Sequence, residues 1–88
     1  MGLSPEGFLK RLRRGRTVNC TYRTGNLTGL ISSWTHEGRF VLTWEECRLG
    51  DQYNEHVYTR DDRLSFESAE EVLAFAERSG YPATAFMA

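Results

Sequence analysis

The stretch Arg-Phe-Val-Leu-Thr-Trp-Glu-Glu-Cys, residues 39–47, is the strongest strand signal in the chain and decides the fold. Its side chains alternate with the period of a β-strand, with Phe40, Leu42 and Trp44 on one side and Val41, Thr43 and Glu45 on the other. Aromatic and β-branched residues suit a pleated, half-buried surface. Because both sides carry such residues, we expect a central strand, with a helix covering the side that holds the three large groups.

Two strands are predicted ahead of this one. Residues 16–24 alternate between apolar and polar side chains, and the Gly-Asn pair that follows them is typical of a β-hairpin turn. Residues 27–34 form the returning strand, in which we interpret Gly29 as a bulge that switches the faces. A second turn over residues 35–38 leads into the central strand and completes a three-stranded antiparallel meander.

The sheet is expected to continue after the central strand. Residues 48–54 predict a loop, residues 55–60 predict a fourth strand, and the Asp pair at 61–62 predicts a turn. Residues 64–66 are expected to be extended, and residues 83–87 predict a last short strand.

Two helices are predicted from their capping residues. Ser4 and Pro5 mark the start of a short first helix, because serine caps a helix well and proline is tolerated at its first position. The second helix is predicted over residues 68–79, where Ser68 and Glu71 have the spacing of a capping box. Its apolar stripe consists of Ala69, Val72, Leu73 and Ala76 and is expected to lie on the central strand.

These elements predict a single α+β domain over residues 1–88. We expect an antiparallel meander sheet of four to five strands, a C-terminal helix packed on one face and a short N-terminal helix. The 88 residues are 40% apolar and 26% charged, which is typical of a soluble globular protein. No apolar run approaches the roughly 20 residues that span a bilayer, and no signal peptide is recognisable. We therefore expect a cytoplasmic protein without a membrane partner, with Cys20 and Cys47 reduced.

The net charge of −1 conceals an asymmetry between the two halves of the sequence. Residues 1–44 carry seven cationic side chains against two carboxylates, whereas residues 45–88 carry four against ten. Five of the cations lie close together, at Lys10, Arg11, Arg13, Arg14 and Arg16. This segment predicts either a phosphate-binding surface for nucleic acid or a solvated basic helix that docks on the acidic half of this chain or of a second copy. The pI near 6.1 favours the second interpretation.

The chain has more aromatic side chains than a core of this size hides easily. Trp34 and Tyr58, and with them Tyr53, are the candidate binding residues, and we expect exposure on the sheet face away from the helix. Exposed aromatic groups on a small sheet are typical of a surface that binds protein or self-associates. The alternative is that the N-terminal helix covers this face through Phe8 and Leu12.

No pattern in the sequence indicates a catalytic, cofactor or metal site. The two cysteines and two histidines could ligate zinc, but no pair of them has the roughly two-to-four-residue spacing of common zinc motifs. If neighbouring strands bring Cys20 near Cys47, a core pair or a disulfide is an equal alternative. A nucleophilic Cys47–His56 dyad, or acid–base chemistry by a carboxylate such as Glu45, would need a pocket to hold substrate.

Three function hypotheses follow from these features. The leading one is a non-enzymatic module that binds protein, itself included, because the charge is polarised and the aromatic groups are in surplus. The second is a nucleic-acid-binding accessory protein that uses residues 10–16. The third is a small enzyme with a pocket near Cys47, His56 or Glu45.

Overall fold

A computed structural model describes residues 2–51 and 57–87 of the chain. In chain order the elements are helix α1 (Pro5–Arg13), strands β1 (Val18–Thr24), β2 (Leu27–His36), β3 (Arg39–Arg48) and β4 (Arg60–Phe66), and helix α2 (Ala69–Arg78). The strands are neighbours in this order and every pair is antiparallel, which confirms the meander and the α+β class. Within the described ranges, no helix is long and apolar enough to cross a membrane.

Tight two-residue turns connect the first three strands. The turn between β2 and β3 consists of Glu37, with a φ of 51°, and Gly38, with a φ of 79°. Left-handed backbone at both central positions is the type I′ geometry, whose twist matches that of the paired strands. The turn between β1 and β2 is equally short and begins at Gly25, with a φ of 60°. The predicted hairpins are thus confirmed, and their turns fix which residues share a face.

Gly29 does not form the predicted bulge. Strand β2 pairs without interruption, and Gly29 faces Tyr22 of β1 and Glu46 of β3. The glycine is buried because the ring of Tyr22 lies over it, and an added Cβ would collide with that ring. The small residue therefore makes room for a long-range side-chain contact, and the strand keeps its parity.

The fourth strand lies further along the chain than predicted. Strand β4 includes Asp61 and Asp62, so the turn predicted there is wrong, and the segment 64–66 is its extended end. Of the strand predicted over residues 55–60, the first two lie outside the described residues and 57–59 precede β4. Carboxylates are disfavoured in strand interiors, but β4 is an edge strand, where charged side chains reach solvent.

The predicted last strand is a 3₁₀ turn over Ala83–Ala85 followed by a single bridge. Met87 and Asn19 of β1 exchange two backbone hydrogen bonds, with N···O distances of 2.7 and 3.0 Å. The backbone N–H of Leu3 donates to the carbonyl of Phe86 at 3.0 Å. Phe86 is fully buried, so packing of its side chain takes precedence over a longer strand. The first and last described segments consequently lie side by side.

Both helices pack on the same face of the sheet. As predicted, α2 covers the side of β3 that holds the large groups, and the core cluster includes Phe8, Leu12, Ile31, Leu42, Trp44, Val72, Leu73 and Phe86. The predicted caps are present: Ser4 Oγ accepts from the N–H of Gly7 at 3.0 Å, and Ser68 Oγ accepts from that of Glu71 at 3.2 Å. Each cap satisfies an N–H that the helix itself leaves without a partner.

Candidate functional site

One face of the sheet lies on the side away from both helices. Because Leu42 and Trp44 belong to the core cluster, the alternate residues of β3 point the other way, and we call that side the open face. Phe8 and Leu12 of α1 are buried in the core on the helix side. The alternative that α1 covers the aromatic groups of the open face is therefore wrong.

Trp34 lies on the open face near the end of β2. Its side chain is half-buried, with Val41 opposite on β3 and the Arg63 guanidinium 5.9 Å from the centroid of the indole ring. A groove of about 340 Å³ lies beside it and is lined in part by His36, Arg39 and Arg63. An indole with cations at its margin can contact an apolar or an anionic group of a partner.

A second apolar region lies further along the open face. Leu30 is 36% exposed and lines a shallow groove of about 240 Å³ together with Cys47 and Tyr58. Met87 is 47% exposed, and its bridge with Asn19 places its side chain at the β1 margin of the same face. We call Leu30, Trp34, Tyr58 and Met87 the open-face patch. Trp34 and Tyr58 are half-buried, not fully exposed, and Tyr53 lies outside the described residues.

Sequence reasoning missed two members of the open-face patch. Leu30 is four residues before Trp34 on the same strand, and alternation places both on one face, but the candidates were sought among the aromatic side chains and Leu30 was left out. Met87 reaches the face through a bridge between distant segments. Nothing in the local sequence of residues 83–87 indicates that bridge.

The open face also carries two carboxylates that face each other. Glu45 of β3 pairs with Asp61 of β4, and like charges directly opposite on neighbouring strands repel. In the part of the chain that the structure describes, the carboxylate of Asp61 has neither an ion pair nor a hydrogen bond. Arg63 lies two residues further along β4 on the same side, 5.9 Å from the centroid of the Trp34 ring, and forms no ion pair or hydrogen bond with its side chain among the described residues. The open face therefore combines apolar groups with unpaired charges of both signs.

Several other aromatic side chains are held together on the helix side. The hydroxyl of Tyr22 donates to Glu46 Oε1 at 2.6 Å and accepts from Trp44 Nε1 at 2.8 Å. The Tyr81 ring lies 5.0 Å from that of Tyr22, and the Arg60 guanidinium lies 3.6 Å from the Trp44 ring centroid. Burial, followed by the hydrogen bond to Glu46, raises the pKa of Tyr22 to about 12. These groups satisfy one another and anchor the segment after α2 to the sheet.

The five predicted nucleic-acid-binding residues lie on or just after α1 and divide into two sets. Arg13 forms an exposed ion pair with Glu70 of α2, so part of the basic segment docks on the acidic half of its own chain. Lys10, Arg11, Arg14 and Arg16 line a groove of about 300 Å³ that has no carboxylate in its lining. Arg11 also donates to the carbonyl of Thr17 at 3.3 Å.

The basic groove lies on the helix side, and the end of α1 is fixed near the strand end that carries Trp34 on the opposite face. Thr35 Oγ1 donates to the carbonyl of Leu12 at 2.8 Å, which fixes the end of α1 beside the end of β2. Val18, at the start of β1, pairs with Ser33, so the chain passes close to Trp34 as it leaves the basic segment.

Among the described residues, no group of His, Cys, Asp and Glu side chains is placed to hold a metal ion. Cys20 belongs to the core cluster on the helix side, whereas Cys47 lies on the open face, so the two thiols are on opposite sides of the sheet. The alternatives of a core pair and of a disulfide are therefore wrong, and both cysteines are free and buried. Burial raises the pKa of the Cys20 thiol. Glu45 and Cys47 line the same groove, and His56 lies outside the described residues.

Comparison with protein-family models, with curated proteins and with solved structures finds no match for this chain.

Proposed function

We propose that this protein is a non-enzymatic module that binds protein, itself included, through the open face of its sheet. The observation that carries the proposal is the position of both helices on one side, which leaves Leu30, Trp34, Tyr58 and Met87 on the other. An apolar centre with charged side chains at its margin is the usual composition of a protein-binding surface. The proposed setting is the cytoplasm, because two free thiols are typical of a reducing compartment.

The chemistry of the face indicates the kind of partner that fits. Trp34 and Leu30 supply apolar contact area, while Arg63 near Trp34 and Glu45 near Leu30 supply opposite charges along the same face. A partner that matches this order presents an apolar ridge, with a carboxylate at the Trp34 end and a cation at the Leu30 end. Small hydroxyl side chains between the two regions let the ridge approach the sheet closely.

To test this, the immobilised chain is incubated with an extract of the host organism, and the proteins that it retains are compared with those retained by two variants. The two variants have the same change in net charge. Leu30→Lys places a cation in the open-face patch, whereas Glu77→Gln removes a carboxylate from the exposed surface of α2. We expect a band that is retained by the parent and by Glu77→Gln and is lost with Leu30→Lys. Trp34→Ala should lose the same band, because central aromatic groups carry much of an interface's free energy.

Two results would count against the proposal. Capture that is insensitive to both Leu30→Lys and Trp34→Ala would place any binding surface elsewhere on the molecule. The proposed function would be excluded if the folded parent retains no protein and stays monomeric at all accessible concentrations.

A second candidate function is nucleic-acid binding by the basic groove. The observation that favours it is the convergence of Lys10, Arg11, Arg14 and Arg16 on a groove without a carboxylate, close to the Trp34 end of the sheet. Phosphates would neutralise the cations, and a single strand that passes around the end of the sheet would bring an unpaired base to the indole of Trp34 on the other face.

Retention on a mixed oligonucleotide pool at about 50 mM salt tests this second function. The variant Arg14→Ala/Arg16→Ala should weaken retention and lower the slope of log affinity against log salt by about two. The control, Arg48→Ala/Arg78→Ala, removes two exposed cations from other parts of the surface and should bind like the parent. No retention of the parent at that salt concentration excludes this function.

A further inference from the structure

Strand β4 is the outer strand of the sheet on the side away from β1. Along the described chain, its backbone makes no hydrogen bond except within the β3–β4 ladder. A row of unpaired N–H and C=O groups is a template for pairing with another strand. Natural edges are often protected by charged side chains, and the sequence Arg-Asp-Asp-Arg at residues 60–63 would serve that purpose against most partners.

The charges of β4 are complementary to those of a second β4. When two identical strands pair antiparallel about a two-fold axis, the axis passes between two copies of one residue, and paired side chains lie on the same face. If that residue is Asp62, Asp61 of each copy faces Arg63 of the other on the open face. Each Asp62 already has a cation, because Arg60 Nε lies 2.6 Å from its carboxylate.

The neighbouring registers are opposed by like charges. An axis at Asp61 would set Arg60 against Asp62 of the other copy, but these two side chains already pair within each chain, and the two Asp61 carboxylates would meet beside Glu45. An axis at Arg63 would place two guanidinium groups face to face. An axis at Leu64 would place Asp61 directly opposite Glu67 of the other copy, and the two carboxylates would repel. The Asp62 register also brings two like charges together at its axis, but each Asp62 carboxylate is paired with Arg60 of its own chain. It is the register in which the unpaired Asp61 and Arg63 neutralise each other.

We propose that two copies of this chain join edge to edge through β4, in the register centred on Asp62, and form a continuous eight-stranded sheet. The inference goes beyond the proposed function, because the contact is the edge of the sheet and not its open face, and the partner is a second copy of the chain. In the pair, Arg63 of one copy supplies the counter-charge that Asp61 lacks beside Glu45. Both helix layers lie on the same side of the extended sheet, so the two open faces form one surface.

The experiment is sedimentation equilibrium over a range of protein concentrations with single and double charge-reversal variants. The parent should form a reversible dimer. Asp61→Arg and Arg63→Asp should each weaken it at least about tenfold, because each change turns two attractive pairs into repulsive ones. The double variant Asp61→Arg/Arg63→Asp restores both pairs with reversed polarity and should dimerise within about threefold of the parent.

Mixing the two single variants of β4 gives the most specific test of the register. In the proposed register, a copy with Asp61→Arg and a copy with Arg63→Asp are complementary, so two monomeric variants should form a heterodimer when combined. Glu77→Arg, the same kind of charge reversal on exposed α2, is the control and should leave the parent's dimer unchanged. Far-ultraviolet circular dichroism of each variant confirms that it is folded.

A monomeric parent, or a dimer that responds equally to Glu77→Arg and to the β4 variants, would overturn this inference. So would the absence of a heterodimer in the mixture. Capture of partner protein that still depends on Leu30 and Trp34 would then leave the proposed function standing. If no dimer forms and capture does not depend on Leu30 and Trp34, both the inference and the proposed function are refuted.

Discussion

At the scale of single residues, Tyr22 connects strands β1, β2 and β3 with the segment after α2. Its ring lies over Gly29 and beside Tyr81, and its hydroxyl bonds to Glu46 and to the indole N–H of Trp44. Both polar contacts hold the ring in place. The space at Gly29 and the hydrogen bonds of the Tyr22 hydroxyl therefore fix the position of the same ring.

We expect Gly29→Ala to lower the free energy of unfolding by about 1–3 kcal/mol, the usual range for overpacking. The new methyl group would lie inside the van der Waals radius of the Tyr22 ring, and the ring can move only by breaking its bonds to Glu46 and Trp44. Urea denaturation measures the change. Leu30→Ala, one residue further and on the exposed side, is the control and should stay within about 0.5 kcal/mol. Equal effects at the two positions would contradict the packing described for Gly29.

Tyr22 also predicts how stability changes at alkaline pH. Burial and the Glu46 hydrogen bond raise its pKa to about 12 in the folded state, whereas the pKa of a tyrosine in the unfolded chain is about 10. The folded state thus holds the proton that the unfolded state releases. The stabilisation is complete below about pH 10 and is lost as the pH rises towards about 12.

Unfolding free energies of the parent and of Tyr22→Phe across this pH range check that prediction. The parent should lose stability more steeply, because phenylalanine has no proton to release. Some slope should remain in the variant, since burial also raises the pKa of Tyr81. Identical slopes for the two proteins would show that Tyr22 titrates as an ordinary exposed tyrosine.

At the scale of elements, α2 is held to the sheet by one side of its surface and is started by one side-chain cap. Val72 and Ala76 are almost completely buried, and Leu73 is 8% exposed. Phe75 lies at the margin, with its ring 6.3 Å from that of Trp44 and 5.6 Å from that of Phe66. Packing therefore contributes more to this helix than its cap does.

Three substitutions in α2 should rank accordingly in urea or thermal denaturation. Leu73→Ala removes buried volume and should lower the free energy of unfolding by about 2–5 kcal/mol. Ser68→Ala loses one cap hydrogen bond and should cost roughly 0.5–2 kcal/mol. Glu77→Ala changes an exposed side chain and should stay within about 0.5 kcal/mol. If Glu77→Ala were the most damaging, α2 would have to contact the sheet through another side.

Prediction from sequence succeeded where an element is specified by its own residues. The alternation of β3 and the serine caps of the two helices are local signals, and each element appears close to its predicted position. β4 was misplaced because Asp61 and Asp62 disfavour a strand locally, and only an edge position makes them acceptable. Gly29 was misread because the reason for a small residue there is the ring of Tyr22 on another strand.

The candidate site was predictable to a similar extent. The general position of Trp34 and Tyr58 away from the helices follows from alternation and aromatic surplus, and the structure places both on the open face. The position of Leu30 on the same face as Trp34 also follows from alternation, whereas that of Met87 depends on a bridge between distant segments. The division of the basic segment depends on the pairing of Arg13 with Glu70, which no spacing in the sequence indicates.

At the scale of the whole molecule, the charge asymmetry of the sequence is partly neutralised by the fold. The basic helix α1 lies beside the acidic start of α2, and Arg13 and Glu70 meet there. Both side chains of this pair are more than half exposed, so the contact contributes little to stability compared with the burial of Phe8 and Leu12. Apolar packing therefore holds the helices in place more than this ion pair does.

The backbone hydrogen bond between Leu3 and Phe86, with an N···O distance of 3.0 Å, holds the first and last described segments side by side, and this has a consequence for connectivity. A circular permutant that joins these ends by a short glycine–serine linker and opens the chain between Gly25 and Asn26 should fold to the same sheet. Its circular dichroism spectrum should match that of the parent, with a single cooperative melt. A permutant opened between Thr43 and Trp44, inside β3, is the control and should not fold.

Since the chain enters and leaves the fold at one point on its surface, the same geometry allows insertion of the whole domain into another protein. If residues 2–87 were inserted into a surface loop of a host protein, they would hold the two ends of the interrupted loop side by side. The host would then keep its own backbone path across the insertion.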